Sequence, residues 1–138
     1  MPTWLLIAIC VICWGVWAVV EKQATRHTSP LMMQVIGAYV YSAVAPILFI
    51  FMKATNVQTS WNVPGVAWTA IACVLATVAG LCFTTAIQRA PVHTVIGFTS
   101  TYPVLTFVLC ALFLNEHVTL TKLAGIVAIV LGTVLLSW

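Results

Sequence analysis

Charge is nearly missing from this chain of 138 residues: Asp, Glu, Lys and Arg make up 5% of it, and the only carboxylates are Glu21 and Glu116. Ordinary soluble domains carry roughly 25% charged residues. With 63% hydrophobic residues and a mean hydropathy of +1.15, the sequence is that of an integral membrane protein. Further absences narrow the function. There is no G-x-S-x-G, no H-E-x-x-H and no glycine-rich phosphate loop, so an enzyme reading has no nucleophile, metal-bound base or phosphate cradle to stand on. The net charge of +3 is not gathered into a basic patch, and nucleic acid is not an expected partner. Short alternating apolar and polar segments are lacking, which argues against a transmembrane β-barrel. The first apolar run has no basic n-region and no convincing small-x-small cleavage site after it, so it reads as a retained helix.

Five apolar runs are present: Trp4 to Val20, Leu31 to Met52, Gly65 to Ile87, Thr94 to Leu114 and Leu120 to Trp138. Each is close to the roughly 17 to 25 residues that a helix needs to cross a hydrocarbon core. The expected architecture is an all-α integral membrane protein whose five transmembrane helices form a single domain over residues 1–138. Short links between the runs favour antiparallel neighbours. All five basic residues, Lys22, Arg26, Lys53, Arg89 and Lys122, lie in or beside those links, where charge reaches water. Two fall on the N-terminal side of the membrane and three on the other. So small a bias scarcely orients a chain under the positive-inside rule, and insertion both ways is expected.

Cys10, Cys13, Cys73, Cys82 and Cys110 all lie inside the runs, where small apolar packing is their favoured role. The C-x-x-C at Cys10 lacks the second ligand pair of a metal site, and no metal or cofactor is expected. His27, His93 and His117 stand in links or at span ends and read as solvated residues. Trp4, Trp61, Trp68 and Trp138 fall near span boundaries, which suits interfacial anchors. Pro46 and Pro103 lie inside runs; each removes a backbone donor and is expected to kink its helix, for packing or to line a cavity.

No span carries a charge near its middle. Candidate chemistry therefore comes from polar and aromatic faces. Cys10, Trp14, Trp17 and Glu21, spaced four, three and four, share one face of the first helix, which serves either as a packing face or as a wall toward a solute. Thr77, Leu81, Thr84 and Gln88 share a face of the third helix, and Val95, Thr99, Tyr102 and Thr106 a face of the fourth. Hydroxyls in hydrocarbon are expected to point into the bundle, either to bond neighbouring helices or to line a cavity. Two stripes of small residues, Ala72–Ala76–Gly80 and Ala124–Ala128–Gly132, allow close helix approach within the chain or between chains.

The closing stretch, AIQRAPVHTVIGFTSTYPVLTFVLCALFLNEHVTLTKLAGIVAIVLGTVLL, resembles the second half of an EamA domain of the drug/metabolite transporter superfamily. The resemblance rests on Pro103 in its helix, on Leu114-Asn115-Glu116, and on Gly125 with Gly132 in the last helix. CWGVWAVVEKQA is similar to the family's first helix, with its Trp14-Gly15 pair. Asn115 departs from the pattern, since a glycine is common there. The likeness covers essentially all 138 residues but says nothing of substrate. It implies a permease, not an enzyme. Most such transporters resemble two units fused, with an inverted repeat and the solute site between halves. One unit here implies a second copy or a related partner, and an antiparallel homodimer is expected. The chain is also similar in scale to small multidrug resistance proteins, but at the depth of their helix-one carboxylate it carries Trp14, with Glu21 two turns further on.

The resulting expectation is a transporter of a small, uncharged or zwitterionic, partly apolar metabolite or drug-like solute. It would work by alternating access as a dimer, multi-pass in the plasma (inner) membrane, with the lipid bilayer and the solute as its other partners. Trp14, Trp17, Thr84, Tyr102 and Thr106 are the candidate cavity residues, and Glu116, Pro103, Gly125 and Gly132 the structural ones. A lipid-linked substrate flippase subunit and a non-transporting membrane scaffold are the alternatives. Glu116 ends the fourth helix at the interface, where its carboxylate can accept backbone donors of the fifth. Glu116→Ala should lower the yield of folded protein in membranes; normal yield with selective loss of transport would overturn that architectural role.

Overall fold

The computed structural model describes residues 2–56, 62–113 and 119–136. Glu116, with Leu114, Asn115, His117, Trp61 and Trp138, lies outside the described residues. Within them the chain forms six α-helices: α1 (Thr3–Ala24), α2 (Pro30–Ala54), α3 (Val63–Arg89), α4 (Val92–Thr99), α5 (Tyr102–Phe113) and α6 (Leu120–Leu136). α4 and α5 share a single apolar span, so the helices make four long spans and a shorter fifth, α6, of 17 residues. The expected all-α membrane architecture holds. α1, α2 and α3 have 22, 25 and 27 residues. At about 1.5 Å per residue they reach roughly 33 to 40 Å, beyond the roughly 30 Å of hydrocarbon.

The helix ends follow from local chemistry. Ser29 accepts a hydrogen bond from the Met32 amide at 3.3 Å, and Pro30 occupies the first turn of α2, where its missing donor costs nothing. The Asn62 side-chain carbonyl accepts from the Gly65 amide at 2.7 Å at the start of α3, and Thr119 accepts from the Lys122 amide at the start of α6. α2 ends with Asn56 at φ 52°, a left-handed conformation that asparagine tolerates better than most residues. Lys22, Lys53 and Arg89 lie in the last turns of α1, α2 and α3, where cations meet the negative ends of the backbone dipoles.

The two internal prolines behave differently. α2 runs on through Pro46. At Pro103 the helix is interrupted: α4 ends at Thr99, α5 starts at Tyr102, and the Thr101 amide bonds Phe98 in a tighter three-residue turn. The proline ring excludes a normal bond to the Thr99 carbonyl, four residues earlier. The Thr99 and Ser100 hydroxyls turn back onto carbonyls of α4 at the same place. The face traced from Val95 through Thr99 to Tyr102 and Thr106 is therefore divided between two helices.

The chain forms two compact units, Met1–Gln88 and Arg89–Trp138. In the first, α1 and α3 meet through their C-terminal halves. Trp17 reaches Phe83, Glu21 reaches Thr84, and Lys22 reaches the Ile87 carbonyl. Partner numbers rise together along both helices, so the two run parallel. Thr84 and Ile87 on α3 are fully buried, and Ala18 on α1 and Thr25 just beyond it are buried as well. No residue of α2 is buried, and its large apolar side chains are left to face lipid or a partner. In the second unit α4 packs against α6, and Val95, Gly97 and Thr133 are buried.

Gly97 is buried in that contact: a Cβ placed on it would lie 3.4 Å from Leu136 Cβ. One carbon fits there and a branched side chain does not. Gly97→Leu should destabilise the protein by about 1–3 kcal/mol through overpacking. Gly37→Leu, with no atom within 4 Å of its added Cβ, should leave stability unchanged or raise it. Thermal unfolding in detergent, read for both variants, checks the pair.

Candidate functional site: a buried polar contact and an open groove

Most hydroxyls within the spans serve their own helix. Ser42, Thr69, Thr77, Thr85 and Thr133 each donate to the carbonyl four residues back, at 2.7 to 3.0 Å. A hydroxyl satisfied this way has no need of the bundle interior, and Thr77, expected to share an inward face with Thr84, is exposed, as is Gln88 at the end of α3. Thr84 is the departure. Its side chain is completely buried, and its Oγ1 stands 2.8 Å from the Gly80 carbonyl and 2.5 Å from Glu21 Oε1.

Three helices supply that cluster. α1 brings Glu21, with Lys22 donating to the Ile87 carbonyl in the last turns of α3. α3 brings Gly80, Thr84 and Ile87, spaced four and three on one face. α2 brings Gln34, whose side-chain amide lies over Gly80, 3.2 Å from where a Cβ would sit. One turn deeper, the rings of Trp17 and Phe83 stack with centroids 5.2 Å apart and planes 20° from parallel. Of the aromatic face read on the first helix, Trp17 and Glu21 thus engage α3, while Trp14 remains 64% exposed and Cys10 is exposed.

Phe83, Gln34, Lys22 and Gly80 were not singled out as members of this cluster. A usable signal existed for one side of it: carrying the stripe Ala72–Ala76–Gly80 one step of four and one of three leads to Thr84 and Ile87. Nothing in the spacing points to Gln34, because its amide lies over the space that Gly80 leaves by lacking a side chain.

The second feature lies within the Arg89–Trp138 unit. A groove of about 510 Å³ runs between α5 and α6, lined by Tyr102, Pro103, Thr106 and Phe107 on one side and Lys122 and Gly125 on the other. The candidates Tyr102 and Thr106 both face it, with Tyr102 largely exposed. Pro103, whose ring ends α4, is part of the same wall. Lys122, in the first turn of α6, puts a positive charge at one end. The groove is open and mostly apolar rather than an enclosed cavity. Gly125 and Gly132 each look onto space, with nothing within 4 Å of an added Cβ. Among the described residues no group of three His, Cys, Asp or Glu side chains is placed to hold a metal.

Residues 1–138, the entire chain, match the model of the EamA-like transporter family. The chain belongs to that family. This EamA protein is accordingly a multi-pass membrane transporter of the drug/metabolite type, which agrees with the resemblance carried by its first helix and its closing stretch. No curated protein and no solved structure matches the chain.

The Thr84 hydroxyl is fully buried and bonded to Glu21 on another helix, so its loss is expected to cost more than loss of a hydroxyl bonded only to its own helix. Thr84→Val in the EamA protein keeps the shape and removes the donor, and should cost about 1–3 kcal/mol. Thr77→Val, exposed and bonded only to its own helix, should stay within about 0.5 kcal/mol of the parent. Equal effects in thermal or denaturant unfolding would contradict the special role of Thr84.

Proposed function

We propose that this EamA protein is one half of a permease that moves a small, uncharged or zwitterionic, partly apolar solute by alternating access, working as an antiparallel homodimer in the plasma membrane. The observation that carries the reading is the match of the whole chain to the transporter family, although the chain has one five-span unit. An odd number of spans puts the two ends of the unit on opposite sides, and a repeat pair of inverted topology then needs a second unit inserted the other way, which we assign to another copy of the chain. The nearly even placement of the five basic residues supports insertion both ways. The open surface at Gly125 and Gly132 on α6 suits close approach of another helix.

Trp14 and Trp17 in the first unit, and Tyr102 and Thr106 in the second, are the candidate solute-contacting residues, whereas Thr84, fully buried against α1, serves the helix contact behind them. The rings offer stacking area and the hydroxyls fix orientation. A second reading, a subunit of a flippase for lipid-linked cargo, is favoured by one feature: the α5–α6 groove is open along its flank, as a lipid-borne substrate requires.

C-terminal reporters active on only one side of the membrane test the pairing. Activity of both reporters is expected; activity of one alone would remove the inverted homodimer and leave a heteromeric partner or the flippase subunit. With a solute found by ligand-induced thermal stabilisation, Trp14→Ala and Tyr102→Ala should each weaken binding about tenfold or more, the equivalent of about 1.4 kcal/mol. Unchanged affinity in both would refute the placement.

A further inference from the structure

The α5–α6 groove joins an apolar wall to a single charge. From α6 come Lys122, Gly125, Ile126 and Ile129, spaced three, one and three on one helix face, and from α5 the rings of Pro103 and Phe107. Along α6 this face rises about 10 Å from Lys122 to Ile129, at about 1.5 Å per residue. Apolar side chains form most of the lining, and the Thr106 hydroxyl gives its proton to the Tyr102 carbonyl at 3.2 Å. Among the described residues that line the groove, Lys122 alone is charged. It stands in the first turn of α6, at the end of a span, where a long side chain reaches the head-group layer. The positive end of the α6 backbone dipole lies at the same level.

Inside hydrocarbon a groove of this composition suits neither vacuum nor water. Unfilled, its walls forfeit their van der Waals partners, and water finds few polar groups there to bond. A hydrocarbon chain lying along it, with an anion at the lysine end, satisfies both surfaces at once. We propose that the groove between α5 and α6 is a binding site for an anionic glycerophospholipid, with an acyl chain along Pro103, Phe107 and Ile126 and the phosphate head group at Lys122.

The acyl chain gains little by moving from the bilayer into the groove, because lipid tails are as apolar as the side chains it meets. Selectivity therefore comes from the head group. The Lys122 ammonium donates to phosphate oxygens and favours net negative charge beside it. A zwitterionic head group brings its own cation to the same place and loses that advantage. The site rests on the groove and its lysine, whatever solute the protein moves, and the lipid is a resident ligand rather than cargo.

Native mass spectrometry of the purified full chain, released from detergent with equal amounts of phosphatidylglycerol and phosphatidylcholine of identical acyl chains, tests the site. Bound phosphatidylglycerol should exceed phosphatidylcholine about fivefold, the discrimination expected of one basic residue near an anionic surface. Lys122→Gln should remove the preference and Lys122→Arg should keep it. Lys53→Gln, which alters a cation in the last turn of α2 that does not line the groove, should leave it intact. Gly125→Leu, whose added side chain has open space to occupy, should lower binding of both lipids. Equal binding of the two lipids, an effect of Lys53→Gln as large as that of Lys122→Gln, or undiminished binding in Gly125→Leu would overturn the proposal. So would displacement of the lipid by inorganic phosphate, the mark of a simple anion site, or paired chains that carry no lipid while single chains do, the mark of a second copy covering the groove. No transport is measured, so failure of the lipid site and failure of the permease reading are separate results.

Discussion

Hydrocarbon offers no hydrogen-bond partner, and almost every feature of this molecule answers that deficiency. Backbone groups are satisfied along helices long enough to reach water at both ends, and span hydroxyls return their protons to the carbonyl one turn back. Lys22, Lys53 and Arg89 sit in the last turns of α1, α2 and α3, where they meet both water and the negative backbone dipole. Even the interruption at Pro103 is surrounded by hydroxyls, Thr99 and Ser100, bonded within the same turns. Polar groups in these spans are therefore not by themselves a map of the interior. Self-satisfied threonines can face lipid.

Thr84 stands apart because it meets a partner on another helix. Around it the C-terminal halves of α1 and α3 close over the only fully buried side chains among the described residues, Thr84 and Ile87. The Trp17–Phe83 stack and the Lys22 bond to the Ile87 carbonyl complete the contact from either side. The opposite end of α1 and all of α2 keep their apolar side chains exposed. Such a unit is well joined at one membrane face and open elsewhere, which suits a protein whose remaining surface meets lipid or another subunit.

The second unit follows a different logic. α4 approaches α6 through a glycine, while α5, displaced by the proline break, leaves a groove against α6. The proline thus does more than bend a helix. It separates the part of the span that packs from the part that lines open space, so Val95 belongs to one and Tyr102 and Thr106 to the other. The family-level role as a transporter agrees with this division between a packed and an open surface.

Long apolar runs and the position of every basic residue were decisive before any coordinates, because span length and charge placement are dictated by bilayer thickness and by water at its edges. The helix breaker at Pro103 was legible for the same kind of local reason, as was the family, from Trp14-Gly15 and the closing stretch. Tertiary structure alone decided which polar residue matters. Spacing made Thr77, Thr84 and Gln88 equivalent on one face, and only the approach of α1 and α2 singles out Thr84 by bringing Glu21 to its hydroxyl and Gln34 to Gly80. Periodicity describes one helix at a time, whereas a hydrogen bond between residues 63 positions apart depends on where two helices meet.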